Sequence, residues 1–263
     1  MGINTVLVTL FASASYAVAI SSGCTTQVGL LAIGDVGNCL QLTSLLPLLS
    51  SSGSIVGPTN NYLSSLCKSS TPACSNDTLT SAQSSINSGC SSDLSGGGTN
   101  ALQVQSLLGI LKHYDQFHAA ACSTNSTNHN YCVTDTIQSI QNATSTSIGL
   151  SDLISLANGG TNLTSAQLCT QCTSGIYYEA LQANASFADT TLGKSLKSTC
   201  GSDFGKTAPN TNASSTTSKN SSSSSTGKGS SALVSTSSIS LFTIVGTAGS
   251  ILGTIFFGAS LIL

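Results

Sequence analysis

The chain has 263 residues with seven lysines, no arginine and nine acids, giving a net charge of −2. That balance excludes a basic surface for nucleic acid or anionic lipid, and the missing arginine removes bidentate grips on phosphate. With only 6% of residues charged, solubility has to come from Ser, Thr and Asn, or from sugar.

In chain order, the first element is apolar from Val6 to Phe11, with small residues leading to Ala17-Val18-Ala19. This is the small-x-small pattern that signal peptidase reads, so residues 1–19 are expected to be a signal peptide cleaved after Ala19. Residues 20–206 then read as one cysteine-rich helical extracellular domain, long enough to bury a core. The clearest predicted helix runs from Ala101 to Ala121. Val104, Leu107, Leu108, Leu111, Tyr114, His118 and Ala121 recur there at three- and four-residue spacing, as one buried stripe. Further helices are expected at 38–49, 56–67, 133–145, 150–158 and 188–199.

Two copies of Leu-Thr-Ser-Ala-Gln, at 79–83 and 163–167, contain Thr80 with Gln83 and Thr164 with Gln167. Each reads as a capping-box helix start. Twin Gly-Gly-Thr-Asn segments at 97–100 and 159–162 read as turns before helices. Cys90-Ser-Ser-Asp-Leu94 also echoes Cys200-Gly-Ser-Asp-Phe204. The spacings between these copies differ, so they mark two loosely related halves at best. No run alternates with period two. The expected fold class is all-α: about seven or eight short helices stapled by disulfides, followed by a disordered Ser/Thr-rich stalk.

The stalk occupies 207–231, where 15 of 25 residues carry a hydroxyl. Extended and stiffened by O-linked sugar, it would reach roughly 75 Å at about 3 Å per residue. Residues 232–263 form a hydrophobic tail, with no charge from Gly229 onward. A retained single-pass helix usually carries Lys or Arg on its cytoplasmic side. A greasy tail, a spacer of about 8–12 residues and a run of small residues instead make the signal for a glycosylphosphatidylinositol (GPI) anchor. Gly229 in Gly229-Ser230-Ser231 is the expected attachment residue, with Asn220-Ser221-Ser222 as the weaker alternative.

Ten cysteines stand at Cys24, Cys39, Cys67, Cys74, Cys90, Cys122, Cys132, Cys169, Cys172 and Cys200, all between the two processed ends. An even set in a secreted context reads as five disulfides. Their pairing stays open among on the order of 900 arrangements, with Cys67–Cys74 and Cys122–Cys132 as near-neighbour options. Cys169-Thr-Gln-Cys172 is a C-x-x-C motif, read here as two structural half-cystines bonded elsewhere because no thioredoxin-like pattern accompanies it. Asn-x-Ser/Thr acceptors for N-linked glycan occur at Asn76, Asn125, Asn142, Asn162, Asn184, Asn212 and Asn220.

Residues for chemistry are few. The histidines are His113, His118 and His129. His113 and His118, five apart on a helix, point about 140° from each other and cannot easily share a metal ion. His118 and Asp115 could touch, but two ligands fall short of a zinc site. There is no Gly-x-Ser-x-Gly elbow. Glu179 is the sole glutamate, and Asp35, Asp93 and Asp203 read as helix caps or surface groups. Gly-Asp-Val-Gly at 34–37 and Ser-Gly-Gly-Gly at 95–98 lack the lysine of a phosphate loop. Without tryptophan, a sugar-stacking platform would have to use Tyr62, Tyr114, Tyr131, Tyr177 and Tyr178.

The layout is similar to the GPI-anchored, cysteine-patterned secreted proteins of filamentous fungi. Within it, Tyr62-Leu63-Ser64-Ser65-Leu66-Cys67, Ala73-Cys74-Ser75 and Cys90-Ser91-Ser92-Asp93-Leu94 resemble an uncharacterised fungal domain family over about residues 24–205. These motifs are cysteine spacings rather than chemistry, so the resemblance carries over no functional residue.

The expected function is a noncatalytic cell-surface or cell-wall glycoprotein with a structural, adhesive or shielding role. It would reach the extracellular face of the plasma membrane or the cell wall through the secretory pathway, its partners being the outer leaflet through the GPI lipid and cell-wall glycan. No cofactor, metal, catalytic site or nucleic-acid partner is expected. The alternative is a binding module for a small apolar ligand, a sterol or fatty acyl chain, lined by leucine-rich 40–49 and 102–111. A third reading, an enzyme, would need His113, Asp115 and Glu179 to converge in one cleft.

Overall fold

The computed structural model describes residues 21–49, 51, 53–149 and 164–210. The described chain is all-α. Helices run over Ser22–Ile33, Asp35–Cys39, Leu46–Leu49, Val56–Leu66, Asn76–Gly89, Ser91–Gly96, Gly98–Lys112, Tyr114–Ala121, Cys132–Thr144, Ser165–Leu168, Gln171–Ala183 and Thr191–Cys200, with 3-10 turns at Leu42–Leu45 and Ala185–Asp189. There is no strand among the described residues, and the β-type pairing is an isolated antiparallel bridge between Thr124 and Tyr131.

Hydroxyl and amide side chains start these helices. Ser21 Oγ accepts from the Cys24 N–H, Ser75 Oγ from Thr78, Thr170 Oγ1 from Thr173 and Thr190 Oγ1 from Gly193. Asn184 Oδ1 serves the 3-10 turn by accepting from Ser186. A chain poor in charge thus satisfies its first-turn N–H groups with neutral caps, each contributing about 1 kcal/mol.

Most buried apolar residues form one cluster, running from Cys24 and Val28 through Leu63, Ile86, Leu111 and Val133 to Ile176. A smaller cluster holds Tyr177, Ala180, Phe187, Leu196 and Phe204. The Gln171–Ala183 helix joins them, giving Cys172 and Ile176 to the first and Tyr177 and Ala180 to the second. The Tyr177 ring lies 5.5 Å from Phe187 and 5.4 Å from Phe204, both tilted, the offset geometry aromatic pairs prefer. Close backbone approach builds this corner: a Cβ on Gly193 would stand 2.0 Å from the Phe187 carbonyl oxygen.

The last described stretch, 201–210, straps across that central helix. The Gly205 N–H donates to Ser174 Oγ at 3.0 Å, Pro209 packs on Gly175, and the Asn210 carbonyl accepts from the Thr124 N–H at 2.8 Å. Gly205 has φ +75°, and a Cβ there would meet Tyr177 Cδ1 at 2.1 Å. Glycine is therefore required for both conformation and space.

Several expected elements differ from those found. The helix expected over 101–121 breaks at His113 (φ −116°, ψ 39°), although its N–H still bonds the Gly109 carbonyl. Beyond the break the buried face is Tyr114, Phe117, Ala120 and Ala121; His118 there, and Leu108 before the break, are half-buried. The 38–49 helix is split because Gln41 takes φ +52°, which no continuing helix allows. Thr80 does not start a helix: it lies one turn inside Asn76–Gly89, whose cap is Ser75, and Gln83 Nε2 instead donates to the Leu111 carbonyl. Thr164 and Gln167 do form the expected reciprocal capping box. The helix expected at 188–199 is found as Ala185–Asp189 plus Thr191–Cys200, and those at 56–67 and 133–145 fall within a residue of place. The helix expected at 150–158 and the Gly-Gly-Thr-Asn copy at 159–162 lie outside the described residues.

Candidate functional site

The covalent framework is the best-defined feature. Cys24 bonds Cys90, Cys39 bonds Cys74, Cys67 bonds Cys122, Cys132 bonds Cys172 and Cys169 bonds Cys200, with no free cysteine. Neither near-neighbour option, Cys67–Cys74 or Cys122–Cys132, occurs. Helix packing sets the partners: the Val56–Leu66 helix ends at Cys67 beside the end of Tyr114–Ala121, where Cys122 sits. The C-x-x-C cysteines are each bonded elsewhere, so they form no dithiol pair with one another. Sequence separations of 31 to 66 residues correspond to about 4 kcal/mol of loop entropy per bridge in the chain-entropy account.

The bridges fall into two sets, three within 24–122 and two within 132–200, and no disulfide crosses between them. The joint is noncovalent. The Cys132 N–H bonds the Ser123 carbonyl and the Ile55 N–H the Ile148 carbonyl. Gln141 Oε1 accepts both from Ser54 Oγ at 2.7 Å and from the Ile148 N–H at 2.9 Å.

The loop between the two sets is organised by Asp135, which sequence reasoning passed over. Its Oδ2 accepts from Asn125 Nδ2 at 2.7 Å and Asn128 Nδ2 at 2.9 Å, and its Oδ1 from Asn130 Nδ2 at 3.0 Å. Asn125 Oδ1 takes the Thr127 N–H. The density of asparagine over 125–130 was the available signal. Among the glycan acceptors, Asn76 and Asn142 are exposed, while Asn125 and Asn184 are half-buried. Asn162, Asn212, Asn220 and Gly229 lie outside the described residues.

Ionisable groups do not gather. Asp115 is exposed, His113 half-buried, and burial together with Lys112 depresses the His113 pKa. His118 Nε2 lies 3.5 Å from Cys122 Sγ, and burial lowers its pKa, opposed by a backbone bond to Leu66 and by Asp115. Glu179 is 8% exposed, and burial alone pushes its pKa up to about 7. Burial is the sole cause of that shift, so neither His113 nor Asp115 exerts a charge effect on Glu179. No group of three His, Cys, Asp or Glu suited to a metal occurs among the described residues. Asp35 and Asp203 are surface groups, Asp203 paired with Lys206. Asp93 is not: it is 7% exposed and holds Ser21.

Aromatic and leucine candidates are largely committed to packing. Tyr62 is buried with its hydroxyl on the Leu40 carbonyl, and Tyr114 and Tyr177 are buried too. Tyr131 and Tyr178 are half-buried. Leu40, Leu45 and Leu48 join Val104, Leu107 and Leu111 in the same core cluster. Among the described residues, Leu30 and Ile33, at 54% and 63% exposure, are the large apolar side chains left outward. No helix among the described residues is long and apolar enough to cross a membrane.

Fold and framework define a disulfide-linked, all-helical domain, its five bridges compatible with an oxidising, extracellular setting. The chain belongs to the family described as Domain of unknown function (DUF7729), whose model matches residues 29–209. No curated protein and no solved structure matches it.

Proposed function

We propose that the protein is a noncatalytic, GPI-anchored glycoprotein of the cell surface or wall, of the filamentous-fungal kind its layout resembles. The helical head would be carried on the Ser/Thr-rich stalk as a structural, adhesive or shielding element. The observation that supports this reading most is the complete pairing of ten cysteines across a domain with few charges. Such a head resists unfolding and proteolysis through covalent loops rather than ion pairs. Exposed Asn76 and Asn142 offer glycan acceptors on its surface, and the strap holds the first residues of the expected 207–231 stalk, up to Asn210, against the head, so the free stalk would begin at 211. Sparse, scattered ionisable groups favour a noncatalytic role.

The test is treatment of intact expressing cells with phosphatidylinositol-specific phospholipase C. Release of the protein, with a C-terminal peptide ending near Gly229, is expected. Retention on the cell together with an intact Leu263 peptide would refute the reading.

A further inference from the structure

We propose that the Cys67–Cys122 bridge is a thiolation site: a small anionic thiol of the glutathione class attacks the Cys67 sulfur, and His118 receives the Cys122 thiolate that leaves. The two ends of this bridge differ. Cys67 is half-buried at the end of the Val56–Leu66 helix and is followed by exposed Lys68, whose charge favours an anionic nucleophile. Cys122, at the end of Tyr114–Ala121, is 2% exposed and closed to attack. The other two bridges of the same set, Cys24–Cys90 and Cys39–Cys74, are covered at both ends, none of their cysteines being more than 9% exposed. They hold the fold while this one opens.

His118 stands against the covered end. Its Nε2 lies 3.5 Å from Cys122 Sγ, its ring bonds the backbone of Leu66 next to Cys67, and the Tyr114 ring packs on it with centroids 5.7 Å apart. The imidazole therefore straddles the bridge. Both cysteines sit at helix C-termini, where the dipole disfavours a thiolate and favours a cation. An imidazolium beside Cys122 offsets that cost. It also makes the departing thiol more acidic, and a more acidic thiol leaves faster.

The exchange balances without an oxidant. The incoming thiolate sulfur bonds to Cys67 Sγ as the Cys67–Cys122 bond breaks. The electron pair of that bond goes to Cys122 Sγ, which takes the His118 proton, and solvent returns a proton to the imidazole. One mixed disulfide and one thiol replace one disulfide and one thiol.

The test uses the full oxidised protein, kept folded at pH 6 in excess glutathione, where an imidazole begins to carry its proton. Samples are acid-quenched at intervals, unfolded, alkylated and mapped by peptide mass. Glutathione is expected on Cys67 and the alkyl group on Cys122. The Cys169–Cys200 bridge, half-buried at both ends, is the internal control, and dividing by its opening rate cancels the supply of thiolate. His118→Gln keeps a polar group but delivers no proton, and should lower that ratio about tenfold. Glutathione on Cys122, or none on Cys67, overturns the inference from the wild type alone, even if the variant is not secreted. An unchanged ratio overturns it as well. So does a raised one, because loosening a merely structural histidine would speed the opening.

Discussion

Replacing Glu179 with Gln should remove a slope from the pH dependence of stability. The carboxyl is covered to 8% exposure with burial as the sole cause of its raised pKa, about 7 in the fold against an ordinary 4.5. Between those two values the unfolded chain has released the proton while the folded chain still holds it. Stability therefore falls as pH rises from about 4.5 to about 7, and the group adds no slope on either side. The full difference corresponds to about 3 kcal/mol. The residual exposure of the side chain lets solvent screen the carboxylate, which reduces the expected loss to about 2 kcal/mol. His113 and His118, their pKa values lowered by burial, slope the opposite way. The informative quantity is thus the difference between wild type and variant. Urea unfolding of both oxidised proteins at pH 5, 6, 7 and 8 would measure it. Glu179→Gln should gain on wild type steadily from pH 5 to 7 and then hold level. Parallel profiles for the two proteins would refute the argument and show that water reaches Glu179 freely.

Two further substitutions probe the architecture. Ser75→Ala should cost about 1 kcal/mol by uncapping Asn76–Gly89, whereas exposed Thr80→Ala should change thermal unfolding little, since Thr80 caps nothing; equal effects would restore Thr80 as the helix start. Gly205→Ala introduces a Cβ at φ +75° against the Tyr177 ring and should cost about 2 kcal/mol or more. Peptide mapping of a limited digest should then show early cleavage in 201–210, and wild-type protease resistance would contradict the strap geometry.

Much of the fold was legible because helices leave local marks. The 56–67 and 133–145 helices carry apolar spacing strong enough to place their ends within a residue, and Thr164 with Gln167 is a complete capping box. An even number of cysteines following an apolar N-terminal stretch implied full pairing, and no free cysteine is found. The Ser22–Ile33 helix escaped notice for the converse reason: its polar residues (Ser22, Thr25, Thr26 and Gln27) fill its first half and its apolar ones its second, so neither face carries a helical period, and Leu30 and Ile33 are left outward. Asp135 was missed because its role lies in three asparagines that converge on it only once the loop closes.

Composition and local pattern by themselves determined helicity, the parity of the cysteines and the scarcity of groups for chemistry, since each depends on residue identity or on neighbours within a turn or two. Tertiary packing alone decided which cysteine meets which, where the long helix breaks at His113, and that Asp93 and Glu179 are covered while Asp115 and Asp203 are not. Those outcomes depend on contacts between residues tens of positions apart, such as Ser21 with Asp93 or Cys67 with Cys122. No short-range preference encodes them, because the free energy that selects them is burial and loop closure summed over the whole domain.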